Sequence, residues 1–359
     1  MVIKNTVAFA VPGDLSAPTG GYHYDRQLMV ALRAEGPDVT HLALPGGFPF
    51  PDQAAMAEAA AQLSTVPAEQ ILIVDGLAFG AMETAAVDQI QAHVVALVHH
   101  PLAHESGLPV QEARRLRALE RANLARAAHV LVPSPHIAAV LQADYAVETQ
   151  RITVIRPGRP ESRPLKQATA PQAPPLILSV GLLHPRKGHD ILVRALAQLG
   201  DVPWRAVIVG SPWEPGWDIA LAGQIETAGL SGRVQLAGRV EQDTLDALYH
   251  QAQIFALATR YEGYGMVFDE ALVHGLPIVS TTAGAVPGTV PEDVGILVPP
   301  GDADAFGAAL RVLLEDQTTC AAKAQAALLA GCALPSWADA AKEVASVLAR
   351  VANRRQHDE

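Results

Sequence analysis

Nine short apolar runs, alternating with longer segments of helical spacing, constrain the fold of this chain more than any other feature. The runs lack the alternation of a half-buried strand, so they predict strands buried on both faces of parallel sheets. Four precede residue 160 and five follow residue 175, which predicts an α/β architecture that occurs twice. The predicted strands are Val7–Val11, Ile71–Val74, Val94–Val98, Val130–Val132, Leu176–Val180, Ala206–Val209, Val234–Leu236, Ile254–Leu257 and Pro277–Val279.

A proline-rich segment separates the two sets of runs. Between Arg159 and Pro175 the chain has almost no apolar content, which is typical of an extended linker. The length of 359 residues also favours two domains, since single cores stop growing at about 250–300 residues. We expect an N-terminal domain over 1–160, a linker over 161–175, a C-terminal domain over 176–335 and a last helix over 336–359 that crosses back to the N-terminal domain.

Composition and charge exclude several classes of protein. Half of the residues are hydrophobic and 18% are charged, so the chain is not predominantly disordered. Lys and Arg total 26 against 37 Asp and Glu, and the net charge of −11 disfavours a duplex nucleic-acid partner while permitting a local anion pocket. Cys320 and Cys332 have no neighbouring His or Cys that would complete a metal site, so we expect free thiols in a reducing compartment.

The chain offers no segment suited to membrane insertion. Its first apolar stretch runs directly into Pro12 and Gly13 and therefore predicts a strand, not a signal peptide. No apolar run approaches the ~18–20 residues that a membrane span requires. The basic helix predicted over Val110–Ala128 has too few bulky apolar side chains for a membrane-binding surface. We expect a cytoplasmic protein without integral or peripheral membrane contact.

One loop of the C-terminal half carries the residues of an anion site. Ligands of open α/β sheets bind at the carboxyl ends of strands. After the run Leu176–Val180, a turn at Gly181 leads to Arg186 and Lys187, and an amphipathic helix follows. Two cations beside a helix N-terminus add to its unpaired N–H groups and dipole, which favours a bound anion.

A second loop adds carboxylates suited to a sugar. The segment from Arg260 to Pro277 follows the run Ile254–Leu257 and places Glu262 in a glycine-containing loop and Glu270 in the helix that this loop opens. A loop carboxylate and consecutive N–H groups can bind sugar hydroxyls and phosphate, and Glu270 can accept hydrogen bonds from a vicinal diol. The Asp302-Ala303-Asp304 triplet is predicted to begin a helix, so we expect no metal site there.

Taken in order, these motifs resemble the retaining glycosyltransferases of family 4 (glycosyl transferases group 1), which have the GT-B fold. The resembling segments are GGYHYDRQL, LVHHP, LERANLARAAHVLVPSP, VIRPG, VGLLHPRKG, RVQLAGRV, YEGYGMVFDEALVHGLPIVSTTAGAVPGTV and GILVPPGDADA. The resemblance implies two Rossmann-like domains facing across a cleft. It also implies transfer of a hexose, with retention of configuration, from a nucleotide diphosphosugar to an acceptor hydroxyl. We expect no metal cofactor, because Lys187, a further arginine and helix N-termini can stabilise the charge of the leaving group.

The resemblance also implies roles for individual residues. Glu270 would bind the ribose, Glu262 the donor sugar, and Lys187 the pyrophosphate. The implied catalytic residues are His99, Glu262, Lys187 and Arg186, with His100 in place of His99 if the strand before them ends one residue later. The implied donor-binding residues are Gly20, Gly21, Gly181, Arg186, Lys187, Gly210, Gly238, Val240, Arg260, Glu262, Gly263, Tyr264, Gly265, Met266 and Glu270. For the acceptor we expect Tyr22, His23, Tyr24, His100 and Glu105.

Two departures from the family pattern leave alternatives open. Leu182 stands where many relatives have an arginine, so Arg186 or Arg260 would supply that charge, and Arg159 stands where an acidic residue is frequent. These departures also permit a catalytically degenerate binding protein, and a nucleotide-sugar epimerase on the same fold is a further alternative. A nicotinamide dehydrogenase is disfavoured, because Gly13–Gly21 lacks the required glycine spacing. The expected donor is a UDP-sugar, then a GDP-sugar, and the acceptor a sugar, a pterin, another metabolite, or a glycolipid or polysaccharide precursor.

Overall fold

The chain forms two compact units. A computed structural model describes residues 6–105, 107–160 and 173–358, with side chains as far as residue 353. The first unit comprises Met1–Gly158 and Pro335–Glu359, and the second comprises Arg159–Leu334. Most of the segment predicted as a linker, 161–172, lies outside the described residues. No helix in the described part of the chain combines the length and the apolar composition needed to cross a bilayer.

The first unit contains a six-stranded parallel sheet in the order β2-β1-β3-β4-β5-β6. Its strands are β1 (Thr6–Pro12), β2 (Asp38–Leu44), β3 (Ile71–Asp75), β4 (His93–Leu97), β5 (His129–Val132) and β6 (Ile152–Val154). Its helices are α1 (Gly20–Glu35), α2 (Gln53–Ser64), α3 (Gly76–Phe79), α4 (Thr84–Val87), α5 (Val110–Leu124), α6 (Pro135–Tyr145) and the C-terminal α14 (Trp337–Asp358).

The second unit contains another six-stranded parallel sheet, in the order β12-β11-β10-β7-β8-β9. Its strands are β7 (Leu176–Val180), β8 (Arg205–Val209), β9 (Val234–Gly238), β10 (Ile254–Ala256), β11 (Ile278–Thr281) and β12 (Gly295–Val298). Its helices are α7 (His189–Ala197), α8 (Trp217–Thr227), α9 (Gln242–Gln251), α10 (Met266–Val273), α11 (Val286–Thr289), α12 (Ala303–Glu315) and α13 (Gln317–Cys332). Asp302 accepts a hydrogen bond from Ala305 N at 2.9 Å and so caps α12, as expected.

The continuous apolar runs reflect sheets that are covered on both faces. In β7, Ile177 packs into one hydrophobic cluster of the second unit, while Leu176 and Leu178 pack into the other. Because successive side chains of a strand point to opposite faces, nearly every residue of such a strand is apolar, and Ser179 is the exception in β7. The predicted α/β fold with two parallel sheets is confirmed.

The nine predicted strands are present, and three further strands were missed: β2, β6 and β12. Each of the three lies at an edge of its sheet. Edge strands are only partly buried, and β2 alternates exposed and buried residues along much of its length. Neither β2 nor β6 therefore shows a continuous apolar run, whereas β12 contains one, Ile296–Val298, that the prediction overlooked.

The C-terminal helix is attached to the first unit through Trp337. The indole of Trp337 packs edge-on against the ring of Tyr24, with 5.3 Å between ring centroids. A Cβ atom on Gly158 would lie only 2.3 Å from Trp337 N, so this approach requires a glycine. Tyr24 OH donates to Ile155 O at 2.8 Å, which joins α1 to the chain segment after β6.

Candidate functional site

Two groups of polar side chains lie where the strand order of each sheet reverses. In the second unit this reversal lies between β7 and β10, and in the first unit between β1 and β3. Loops leaving neighbouring strands there diverge to opposite faces of the sheet, which opens a crevice at the carboxyl ends. A cavity of about 660 Å³ in the second unit, lined partly by Trp204 and Arg233, lies instead beside the residues that precede β8 and β9. The cavity therefore lies at the amino ends of the strands, whereas the predicted site lies at their carboxyl ends.

A buried ion pair joins the two predicted loops of the second unit. Lys187 Nζ donates to Glu262 Oε1 at 2.7 Å, and the two side chains are 13% and 5% exposed. Thr259 Oγ1 donates to the same oxygen at 3.0 Å. Burial opposes the charged form of Glu262, yet Lys187 and Arg186 outweigh it and hold the pKa of Glu262 below its usual range. The carboxylate therefore stays ionised beside a cation, which suits hydrogen bonding to sugar hydroxyls next to a phosphate.

Close backbone approaches hold these two loops in place. Gly188, in the left-handed region at φ +66°, lies so near β10 that a Cβ would be 1.9 Å from Ala258 O. Gly284, at φ +55°, would place a Cβ 2.3 Å from Glu262 O, and Ala285 N donates to the same carbonyl at 2.9 Å. Both positions require glycine for conformation and for space. The Lys187 and Glu262 loops are thus fixed by their neighbours, not only by each other.

The two arginines proposed to replace the charge missing at Leu182 differ in their surroundings. Arg260 donates to both carboxylate oxygens of Asp190, at 2.8 and 2.7 Å, and also to Pro185 O. Its backbone N donates to Arg186 O at 2.7 Å, which connects the two loops. The Arg260 charge is therefore offset by Asp190, whereas the charge of Arg186 acts on Glu262.

Glu270 is oriented by aromatic neighbours in the second unit. Tyr249 OH donates to Glu270 Oε2 at 2.7 Å, and the His274 ring stacks on Tyr249 at 4.8 Å. Burial raises the pKa of Glu270. One carboxylate oxygen is thereby fixed, which leaves Oε1 for a further hydrogen bond. The predicted residues Gly263, Tyr264, Gly265 and Met266 form the preceding loop and the first residue of α10.

The remaining glycines of the predicted donor site lie at neighbouring strand ends. Gly181 N donates to Val209 O at 2.9 Å, and Gly210 N donates to Gly238 O at 2.9 Å. A Cβ on Gly210 would lie 1.9 Å from Gly181 O. The ends of β7, β8 and β9 therefore meet without intervening side chains, and Val240 lies half-buried just beyond them.

In the first unit the structure brings His99 against Gly21 of α1. A Cβ on Gly21 would lie 3.3 Å from His99 Cδ2, so the glycine allows the imidazole to pack on the helix start. α1 begins at Gly20, and Thr19 caps it by accepting from Tyr22 N. β4 ends at Leu97, which favours His99 over His100 as the histidine nearest the strand end.

Two buried aspartates contact His99, and the sequence reasoning missed both. His99 Nε2 lies 2.9 Å from Asp25 Oδ1 and 3.6 Å from Asp75 Oδ2. The His99 side chain is 19% exposed, whereas Asp25 and Asp75 are 0% and 1% exposed. Burial raises the pKa of Asp25 to about 7, and burial together with the charge of Asp25 raises that of Asp75 well above its usual range. Burial lowers the pKa of His99.

Within the described ranges, Asp25, Asp75 and His99 are the one group of His, Cys, Asp or Glu side chains close enough together to surround a metal ion. The group offers three ligand atoms, fewer than a closed tetrahedral site requires. The 2.9 Å separation of His99 Nε2 and Asp25 Oδ1 is that of a hydrogen bond. Leu77 N donates to Asp75 Oδ1 at 2.6 Å. These contacts describe a hydrogen-bonded group.

The residues predicted to bind the acceptor differ in their exposure and in their contacts. Tyr24 is buried, which argues against direct contact with an acceptor, and we leave it out of the proposed site. Tyr22 OH donates to Pro12 O at 2.8 Å, and His23 is exposed. His100 Nε2 lies 3.1 Å from Glu105 Oε2, so these two predicted residues are in contact.

A signal for the missed residues was present in the sequence. Asp75 ends an apolar strand run, at the edge of the sheet where ligands bind. Asp25 lies three and four residues before Leu28 and Met29, on the buried face of α1. A carboxylate on an apolar helix face indicates a paired or protonated group. Thr259 and Tyr249 carried no comparable signal.

Comparison with known proteins finds glycosyltransferases among the similar sequences. Residues 162–328 match the family described as "Glycosyl transferases group 1". The chain is 28% identical over 245 residues to the D-inositol 3-phosphate glycosyltransferase of Corynebacterium glutamicum (strain R), covering 64% of this chain and 58% of that protein. It is 29% identical over 257 residues to the protein of the same name from Mycolicibacterium paratuberculosis, covering 68% and 57%. The chain thus spans under three fifths of these relatives.

Solved structures share the fold along nearly the whole chain. Sucrose-phosphate synthase from Thermosynechococcus elongatus has a TM-score of 0.82 at 22% identity, covering 97% of this chain and 99% of that one. HepE of Anabaena, in complex with UDP and glucose, has a TM-score of 0.75 at 18% identity, covering 96% and 99%. At these identities the likeness concerns the fold. The chain therefore carries a domain of the glycosyl transferases group 1 family and has the GT-B fold.

Proposed function

We propose that this protein is a retaining hexosyltransferase that uses a nucleotide diphosphosugar, a UDP-sugar in the first place and a GDP-sugar in the second. The observation that carries the proposal is the buried Lys187–Glu262 pair at the carboxyl ends of β7 and β10. It combines a cation for a diphosphate with an ionised carboxylate for sugar hydroxyls. The UDP and glucose bound by HepE support the choice of donor.

The second unit provides the groups that the donor requires. Lys187, Arg186 and the N-terminus of α7 stabilise the diphosphate, and Glu270, held by Tyr249, accepts from the ribose hydroxyls. Glu262 and the N–H groups of the following loop bind the sugar. These are fixed charges and dipoles, which need no reorganisation as charge develops on the leaving group.

The proposed reaction is a front-face displacement through an oxocarbenium-like state. The bond between the anomeric carbon and the diphosphate oxygen breaks, and the acceptor oxygen bonds to the same face of the sugar. The acceptor proton passes to the departing diphosphate. Lys187 and Arg186 stabilise that leaving group without a divalent metal.

The acceptor is proposed to be a small molecule that presents a hydroxyl group. Because relatives are named D-inositol 3-phosphate glycosyltransferase, inositol phosphates are the first acceptors to test. Sugars, pterins and glycolipid or polysaccharide precursors are the other candidate acceptors, and together with inositol phosphates they form the panel to be tested. The contacting His100 and Glu105 are the proposed acceptor-binding residues of the first unit, with Tyr22 and His23 beside the start of α1.

Donor screening followed by product analysis tests the proposal. Thermal shifts with UDP- and GDP-sugars identify the donor, since a ligand of the native state raises the unfolding temperature. Incubation with the acceptor panel should then yield a glycoside of unchanged anomeric configuration, measured by NMR. Lys187→Ala should abolish the donor shift, while Lys342→Ala, at an exposed position of α14, should retain it. An isomerised donor would support an epimerase instead, and tight binding without turnover would support a degenerate binding protein.

A further inference from the structure

The carboxyl groups of Asp25 and Asp75 have no part in the donor chemistry proposed above. Both are enclosed in the first unit, and Asp25 Oδ2 and Asp75 Oδ2 have no hydrogen-bond partner among the described residues. Two ionised carboxylates cannot share such a site, because their repulsion is strong where water is excluded. The pair must therefore hold a proton.

The surroundings indicate which carboxyl group carries the proton. Arg26 follows Asp25 on α1 and favours its ionised form, and the charge of Asp25 in turn favours the neutral form of Asp75. Asp75 already receives the N–H of Leu77 on Oδ1, so its remaining oxygen is the one that bears the proton. Asp75 is thus the neutral acid and Asp25 the carboxylate.

The state of Asp25 decides the state of His99. An ionised carboxylate only accepts hydrogen bonds, so His99 Nε2, at 2.9 Å from Asp25 Oδ1, must be the donor. A neutral imidazole with hydrogen on Nε2 has a lone pair on Nδ1. No described residue forms a hydrogen bond with Nδ1, and the ring retains 19% exposure. Nδ1 is therefore the nitrogen that can meet a ligand.

We propose that Asp25 and Asp75 are positioning residues that hold one proton between them and fix His99 as the Nε2–H tautomer, so that Nδ1 accepts a hydrogen bond from a sugar hydroxyl. The contact with a sugar rests on the proposed function, whereas the tautomer does not. The other titratable or charged side chains acting on this group are Tyr22, Tyr24 and Arg26 of α1 and, through Tyr24, Glu343 of α14.

Nitrogen-15 NMR of the histidine side chains of the whole chain at pH 8 tests the tautomer directly. The sequence has 13 histidines, and the spectrum of His99→Gln assigns the His99 signal. The wild type should show hydrogen on Nε2. Asp25→Asn should move it to Nδ1, because the asparagine amide donates to Nε2, as occurs when asparagine replaces the aspartate that orients a catalytic histidine in serine proteases.

Asp75→Asn should behave differently from Asp25→Asn, because Asp75 is the neutral member of the pair. Its amide would be uncharged beside Asp25, as the protonated acid is, and its oxygen would still accept from Leu77 N, so the Nε2–H tautomer should persist. Glu120→Gln is the matched control, since Glu120 is a buried carboxyl of the same unit that contacts Leu102 N. It should leave the His99 signal unchanged.

Several results would overturn the inference. These are hydrogen on Nδ1 in the wild type at pH 8, the same tautomer change in both asparagine variants, or one bound metal ion per chain that shifts the His99 signal. If Asp25→Asn does not fold, the wild-type and Asp75→Asn spectra still decide.

Turnover then separates the two proposals. In a folded Asp25→Asn variant kcat should fall roughly 10- to 100-fold while the donor-induced thermal shift remains, as expected when a buried sugar hydroxyl is left without its acceptor. Unchanged kcat in that variant would refute the role of the tautomer. A wild type without any transfer would refute the proposed function and leave the NMR result standing.

Discussion

The ammonium of Lys187 lies 2.7 Å from Glu262 Oε1, and this ion pair joins the loops that follow β7 and β10. Removing one partner of a buried pair leaves the other charge without compensation. Lys187→Met should therefore lower the free energy of unfolding of the second unit by about 3 kcal/mol. Glu262→Gln should cost less, because the more exposed Lys187 can recover water.

Urea unfolding of the two variants measures this difference. The double variant Lys187→Met/Glu262→Gln should be less destabilised than the sum of the single changes, since neither charge is then left buried alone. Equal and additive losses would show that the pair contributes no coupling.

Arg186 and Arg260 should affect donor affinity unequally. Arg260 is bound by Asp190 through two hydrogen bonds, so its charge is already offset. Arg186→Ala should weaken UDP binding roughly tenfold, as for the loss of one charge-assisted contact, and Arg260→Ala should weaken it less. Calorimetric titration with UDP measures both, and a larger loss in Arg260→Ala would reverse the assignment.

Gly284 should not tolerate a side chain. It lies at φ +55°, and a Cβ would be 2.3 Å from Glu262 O, so Gly284→Ala must displace the Glu262 loop. We expect a loss of sugar transfer and a destabilisation of about 1–3 kcal/mol. Gly223→Ala, in α8 with nothing within 4 Å of the added Cβ, is the matched control and should leave activity unchanged. Equal activity of the two variants would contradict the placement of this loop.

Turnover should resist metal chelation. Lys187, Arg186 and the N-terminus of α7 provide the positive charge that a divalent ion would otherwise supply to the diphosphate. Initial rates after EDTA treatment should match those of the untreated protein. A loss of rate that added Mg²⁺ or Mn²⁺ restores would show that the reaction needs a metal.

The stability of the first unit should fall as the pH rises from about 4 to about 7. The pKa of Asp25 is about 7 in the folded chain, above the usual value near 3.9, so the folded state binds more protons across this window. Glu120, with a pKa of about 8, should extend the decline. Unfolding at several pH values should show a smaller slope in Asp25→Asn, and an unaltered slope would contradict the assignment.

Glu262 should affect stability in the opposite direction: its contribution to the free energy of unfolding should be lost as the pH falls. Its pKa is held below the usual range, so its contribution to stability is complete above about pH 4.3 and is lost as the pH falls through the folded pKa. Lys187→Met should remove this acid-dependent contribution, which the same unfolding series measures.

Much of the fold followed from hydrophobic periodicity, and the limits of that signal are physical. Central strands such as β7 are buried on both faces and appear as apolar runs, whereas edge strands such as β2 are half-exposed and do not. Lys187 and Glu262 were recognised because glycine loops surround them in sequence. The ion pair between Asp190 and Arg260 joins residues 70 positions apart, and no local sequence pattern predicts such a contact.

The partners of His99 were harder to predict for the same reason. Asp25 and Asp75 are 50 residues apart, and only the order of β1, β3 and β4 brings them together with His99. In the sequence alone, Asp25 can be recognised as a carboxylate on an apolar helix face, and Asp75 as a carboxylate at a strand end. That the two share a proton follows only from their proximity in the folded chain.

The return of α14 to the first unit has a consequence for the order in which the chain folds during synthesis. The second unit is continuous, over residues 159–334, so all of its residues are synthesised before the last segment of the first unit. The first unit must wait for Trp337, which packs on Tyr24, the neighbour of Asp25 in α1. The unit whose synthesis begins first is therefore the one that receives its last residues at the end of synthesis.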